Sequence, residues 1–149
     1  MTIKARRKTA AATPLTACWD TSGIVPLCCF QSRSSRARQT SRIHSRQVVW
    51  WVTAVEAVSS FNRLKRDGHL TQKEFRQALE RLEHLRKLWN EIQPTEEVRR
   101  RAERLLSSHK VRAADALQLS AALVWCGNHP RGRALIGADN DLLDAAEGE

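Results

Sequence analysis

Four carboxylates carry the chemistry that this chain is equipped to do. Asp20 follows the short apolar run Leu15-Thr16-Ala17-Cys18-Trp19, and Asp139 follows Ala134-Leu135-Ile136-Gly137-Ala138. Glu56 lies one turn into a helical repeat that starts near Val52, and Asp115 lies within Arg112-Ala113-Ala114-Asp115-Ala116-Leu117-Gln118-Leu119. If the apolar runs are strands of a parallel sheet, the two aspartates stand at its carboxyl edge, and Glu56 and Asp115 sit near the starts of helices on that same edge. Four acids with no His or Cys among them form a hard, all-oxygen donor set. Such a set suits Mg²⁺ or Mn²⁺, which also bind phosphate oxygens well. Left uncompensated, the cluster would raise its own pKa values and strain the fold.

Asp115 is the most telling of the four. Its segment is the strongest helix former in the chain, and Leu119, Ala122 and Leu123 follow it at the three- and four-residue steps that line one helix face. The carboxylate therefore continues an apolar stripe, where an unpaired charge is costly. Arg112, one turn earlier, is a partial answer, and backbone amides at a helix start are another. Thr21 and Ser22, beside Asp20, can orient a ligand or simply close a turn.

Other chemistries find less support. The four cysteines at 18, 28, 29 and 126 have no C-x-x-C spacing, and the five histidines are scattered, so neither a zinc site nor a disulfide framework is expected. That cysteine usage fits a reducing, cytoplasmic setting. No apolar run approaches the length of a membrane span, and no helix-turn-helix signature is present.

Charge is unevenly placed. The formal net charge is +9, and Met1 to Arg46 alone holds nine Lys or Arg against the single acid Asp20. A basic leading segment on a nearly balanced body points to a polyanion, with nucleic acid ahead of membrane. Residues 1–14 read as a basic N-terminal extension without fixed structure, and residues 15–149 as a single domain.

The elements that must position the acids follow from the patterning. Leu15 to Trp19 and Val48 to Trp51 read as buried strands, with Trp89 to Ile92 a weak third and Ala134 to Ala138 a fourth. Gln31 to Arg46, rich in Ser and Arg, reads as a flexible connection. Val55, Val58, Phe61 and Leu64 give one helix, stopped at Asp67-Gly68. Thr71 and Glu74 form a capping box for a second, whose apolar face runs Phe75, Ala78, Leu79, Leu82, Leu85, Leu88. Thr95 caps a third, the Asp115 helix closes at Gly127-Asn128, and Leu142, Leu143 and Ala146 mark a short last one. Strands alternating with helices predict an α/β/α sandwich with a short, mostly parallel sheet of four to five strands.

Taken together, Trp19-Asp20-Thr21-Ser22-Gly23-Ile24-Val25-Pro26-Leu27, the Val55-Glu56 helix behind its apolar strand, Arg112 to Leu119, and Ala138-Asp139 resemble a PIN domain of the bacterial VapC toxin type, over nearly all of Leu15 to Ala146. The resemblance implies a Mg²⁺- or Mn²⁺-dependent endoribonuclease, the toxin of a toxin-antitoxin pair, blocked by a cognate antitoxin and expected as a homodimer. By matching position, Asp20, Glu56 and Asp115 would be metal-ligand and catalytic acids and Asp139 the fourth, with Asp141 the alternative to Asp139. The chain departs from the family pattern at Gly137, where Thr or Ser is common, and at Glu149, where the family usually runs on into an edge strand. The alternative expectation is a catalytically inactive or truncated PIN-like module that binds RNA or protein.

Overall fold

Bulky residues one apart in a strand point to opposite faces of its sheet, and here that parity divides the core in two. The structure is a computed structural model that describes residues 15–29 and 34–149; the basic extension at 1–14 lies outside the described residues. Its strands are β1 (Thr16–Trp19), β2 (Arg46–Trp50), β3 (Asn90–Ile92) and β4 (Ala134–Ile136). Its helices are α1 (Thr21–Cys28), α2 (Ser34–Ile43), α3 (Thr53–Arg66), α4 (Gln72–Arg86), α5 (Glu96–Ser108), α6 (Ala113–Trp125) and α7 (Asn140–Glu147).

The strands form one all-parallel sheet in the order β3-β2-β1-β4, with Cys18 opposite Val48 on one side and Leu135 on the other. Ala17, Trp19 and Val49 face one layer, packing with Ile24 of α1, Phe61 of α3 and Leu82 of α4. Trp50 and Leu135 face the other, where Val98 of α5, Ala121 and Leu119 of α6 and Leu142 of α7 close the core. The result is the expected α/β/α sandwich. No helix among the described residues is long and apolar enough to cross a membrane.

The connections explain where a ligand belongs. The chain steps from β1 to β2 to β3 in one direction, then returns through α5 and α6 to place β4 on the far side of β1. Crossovers of fixed hand put the helices of the two directions on opposite faces, and the reversal opens a crevice beyond the carboxyl ends of β1 and β4.

Local signals set the helix ends. Thr71 Oγ1 accepts the Glu74 N–H at 3.2 Å while Glu74 Oε2 accepts the Thr71 N–H at 2.7 Å, completing the capping box. Thr95 Oγ1 accepts the Val98 N–H at 3.3 Å. Gly68 (φ +76°) ends α3, and Gly127 (φ +59°) with Asn128 (φ +64°) ends α6 in the left-handed region that favours Gly and Asn.

Two expectations are corrected. The stretch from Gln31 to Arg46 is not a loop throughout, because Ser34–Ile43 is helical and Arg46 opens β2. Arg, Ala and Gln are good helix formers, and α2 lies against α1, with the Ser34 hydroxyl buried and donating to the Cys29 carbonyl. In α3 the buried stripe is Thr53, Ala57 and Phe61, whereas Val55 is 68% exposed. Leu88, beyond the end of α4, is likewise exposed.

These positions make opposite demands on stability. Phe61→Ala is expected to cost about 3–5 kcal/mol in urea denaturation, and Val55→Ala to stay within about 0.5 kcal/mol. Equal losses at the two sites would contradict the assigned phase of α3.

Candidate functional site

The crevice predicted from the strand order is a cleft of about 610 Å³, and Asp20, Glu56, Asp115 and Asp139 all line it. Each acid stands at the beginning of a helix. Asp20 and Asp139 are the N-cap residues of α1 and α7, while Glu56 and Asp115 lie in the first turns of α3 and α6. A helix N-terminus carries partial positive charge and unpaired N–H groups, so it favours a carboxylate there. Asp141, exposed in the first turn of α7, does not line the cleft.

Asp20 is fixed by Ser22. Its Oδ2 accepts the Ser22 N–H at 3.0 Å and the Ser22 hydroxyl at 2.5 Å. The same Ser22 oxygen accepts the Ala138 N–H at 2.8 Å, and the Asp20 N–H donates to the Ile136 carbonyl at 2.8 Å. One side chain thus ties the ends of β1 and β4 together. Gly137 is explained by this contact, since a Cβ there would lie 3.2 Å from Asp20 Cβ and 3.3 Å from Ser22 Oγ. The hydroxyl that bonds the backbone at this point comes from α1.

Glu56 reaches across to α1, where its Oε2 accepts the Thr21 hydroxyl at 2.5 Å. Burial pushes the Glu56 carboxyl above its ordinary value, and the charges of Asp20 and Asp115 push it further; the Thr21 bond acts the other way. Asp20 and Asp115 thus lie near enough in the cleft for their charges to act on Glu56.

Asp115 does continue the buried stripe of α6. Its side chain is 16% exposed, above a buried Leu119 and Leu123. It also has the local partner that the sequence offered, since Arg112 approaches it with Nε at 3.5 Å and its backbone N–H at 3.4 Å. Arg112 Nη2 stands 3.8 Å from Asp139, whose other oxygen accepts the Leu142 N–H at 3.1 Å. The arginine is 85% exposed, so both ion pairs are weak and easily exchanged.

Further cleft residues escaped the sequence reading. Ser59, Ser60 and Arg63 lie on the face of α3 that carries Glu56, at the three-, four- and seven-residue steps from it, and all three line the cleft. The spacing was there to be used. Cysteine chemistry, by contrast, is disfavoured by the structure. Cys18 and Cys28 have thiols pushed up to about 12 by burial, and Cys29 to about 11. Histidines 69, 84 and 129 are exposed as expected, but His109 is partly covered and pairs with Glu149 at 2.9 Å.

The donor set is all oxygen, the chemistry that suits a hard divalent cation. As the side chains stand they are not gathered around one point. Among the described residues no three His, Cys, Asp or Glu side chains are grouped closely enough to hold one ion. Thr21, Ser22, Arg112 and the α7 amide each hold one of the acids in its place instead.

A carboxyl with a raised folded pKa destabilises the fold when charged. The penalty is absent below the ordinary glutamate value of 4.5, grows as pH rises through the raised folded value, and is constant above it. Glu56→Gln, which keeps an acceptor for Thr21, is therefore expected to raise the metal-free Tm near neutral pH and to change little below the ordinary value. A difference that does not vary with pH across this range would rule out a raised Glu56 carboxyl in the folded chain.

No protein-family model and no curated protein matches this chain.

Proposed function

We propose that the protein is a divalent-metal-dependent endoribonuclease of the PIN-domain, VapC-like type, acting as the toxin of a toxin-antitoxin pair. The observation that carries this reading is that four carboxylates from four helix starts line one cleft at the point where the strand order of a parallel sheet reverses. What supports it further is that the order and local sequence of those acids resemble the family pattern, and that the α/β/α architecture is compatible with it. At Gly137, where the chain departs from the pattern, a Cβ would be a tight fit, and the Ser22 hydroxyl accepts the neighbouring Ala138 N–H.

Asp20, Glu56, Asp115 and Asp139 would hold Mg²⁺ or Mn²⁺. When bound, the ion supplies Lewis acidity toward phosphate oxygen and toward water, which carboxylates alone cannot provide near neutral pH. The chain's own residues do the positioning. Thr21 and Ser22 restrict the rotation of Glu56 and Asp20, so that the carboxylates present fixed edges to the cleft. Arg63, exposed on the cleft wall, offers a cation to a substrate phosphate. Arg112 can leave Asp115 and Asp139 for the phosphate at little cost, because its present pairs are solvent-screened. The RNA substrate, a cognate antitoxin, a homodimeric state and a cytoplasmic location belong to the same proposal.

A second reading has one observation in its favour. The acids are held apart by their partners rather than gathered for one ion, which suits a non-catalytic RNA- or protein-binding module on the same fold.

Metal and activity separate the two. Under the nuclease reading, Mg²⁺ or Mn²⁺ raises Tm through binding to the native state, and Asp115→Asn removes most of that rise. RNA is cleaved only with the metal present, and EDTA stops it. Asp20→Asn, Glu56→Gln and Asp115→Asn each lower cleavage by orders of magnitude while RNA binding holds or improves, since each removes a negative charge facing the phosphate; Asp139→Asn has a smaller effect. Folded protein that binds RNA yet shows no Asp115-dependent cleavage would establish the binding module instead.

A further inference from the structure

A second cavity of about 510 Å³ adjoins the acid cleft and shares Ser22 and Pro26 with it, so the two run along one rim. Its character is the reverse of its neighbour's. No carboxylate lines it; its walls are Pro26, Leu135 and Leu143, and its polar groups are Arg36 and Thr40 of α2 and Asn140 of α7. Arg36 forms no ion pair with a described residue, and the chain holds no acid anywhere from Thr21 to Val55. Trp19, buried in the wall of the groove, has an indole N–H with no acceptor among the described residues. Apolar walls, a few convergent polar groups and this volume are the makings of a small-ligand site.

We propose that this groove is the subsite for one unpaired nucleotide of the RNA, seated beside the phosphate handled in the acid cleft. The inference rests on the ribonuclease reading. A flat base fits between apolar walls, and the Asn140 amide offers both a donor and an acceptor to a base edge. The Arg36 guanidinium suits the phosphate of that nucleotide. Charge also argues for an anionic occupant over an apolar peptide segment, because the groove's lining holds Arg36 and no carboxylate, and α2 carries no acid of its own.

The test uses the full chain and a short fluorescein-labelled single-stranded RNA, with anisotropy read in EDTA so that binding is seen without cleavage. Arg36→Glu is expected to weaken binding about tenfold. Arg42→Glu, the same charge change on α2 outside the groove, is expected to weaken it several-fold less. Asn140→Ala is expected to alter which of four homopolymeric RNAs is preferred. The Mg²⁺-induced rise in Tm is retained in all three variants, which shows that they fold and keep the acid cleft. Equal losses from Arg36→Glu and Arg42→Glu would overturn the subsite in favour of diffuse attraction. An unchanged affinity in Arg36→Glu, with wild-type cleavage intact, would overturn it alone and leave the groove to a protein segment. A wild-type chain with no RNA affinity would overturn both the subsite and the nuclease reading.

Discussion

Everything at this site depends on one constraint: an all-parallel sheet delivers its strand ends, and the helix starts that follow them, to a single edge. Four helices begin around the cleft, and each contributes an acid from its cap or first turn. Each helix start is worth about 0.3–1 kcal/mol to an anion near it. The backbone therefore offsets part of the repulsion among four carboxylates before any cation arrives. A cost remains at Glu56, whose carboxyl is raised first by burial and then by the charges of Asp20 and Asp115.

Around that edge, the contacts that set the geometry are made by residues far apart in the chain. Thr21 meets Glu56 across 35 positions, and Ser22 meets Ala138 across 116. Both hydroxyls sit in the first turn of α1, directly after Asp20. Helix α1 is in this sense the hub of the site: it is capped by one acid, holds a second through Thr21, and is joined through Ser22 to the strand that leads to the fourth. Its close fit to the end of β4 leaves little room for a side chain at Gly137.

How much of this was legible in the sequence follows from where each signal resides. Caps and stops are local, so the Thr71-Glu74 box, Thr95 and Gly127-Asn128 were readable and are found. The central strands β1 and β2 were readable because buried parallel strands are short apolar runs, whereas β3, Asn-Glu-Ile, left only a weak signal. Helix α2 was not, since its sequence has almost no apolar face and its helicity draws on packing against α1. In α3 only Val55 was misplaced, since Phe61 is buried and Val58 and Leu64 pack against the core as expected. Val55 is the larger side chain, but Thr53 and Ala57 are the ones small enough to lie beneath a neighbouring helix, so packing overrode hydrophobicity. The identities of the four acids were legible from their places after strands and at helix starts. Their partners were not, because nothing local tells Thr21 that Glu56 will be beside it.

Each carboxylate is engaged, but the engagements differ in strength. Asp20 is held by two bonds from one residue and Asp139 by a helix amide, and these keep the outer oxygens in place on rigid turns. Asp115 and Asp139 share Arg112, an exposed and screened cation that departs readily. Glu56 depends on the Thr21 hydroxyl, a partner that can turn about a single bond. The rearrangement needed to gather the acids is therefore confined to side chains and asks nothing of the sheet. Such an arrangement keeps the carboxylates apart, which limits their repulsion, and leaves Glu56, raised by burial and by Asp20 and Asp115, the one that neighbouring positive charge would stabilise most.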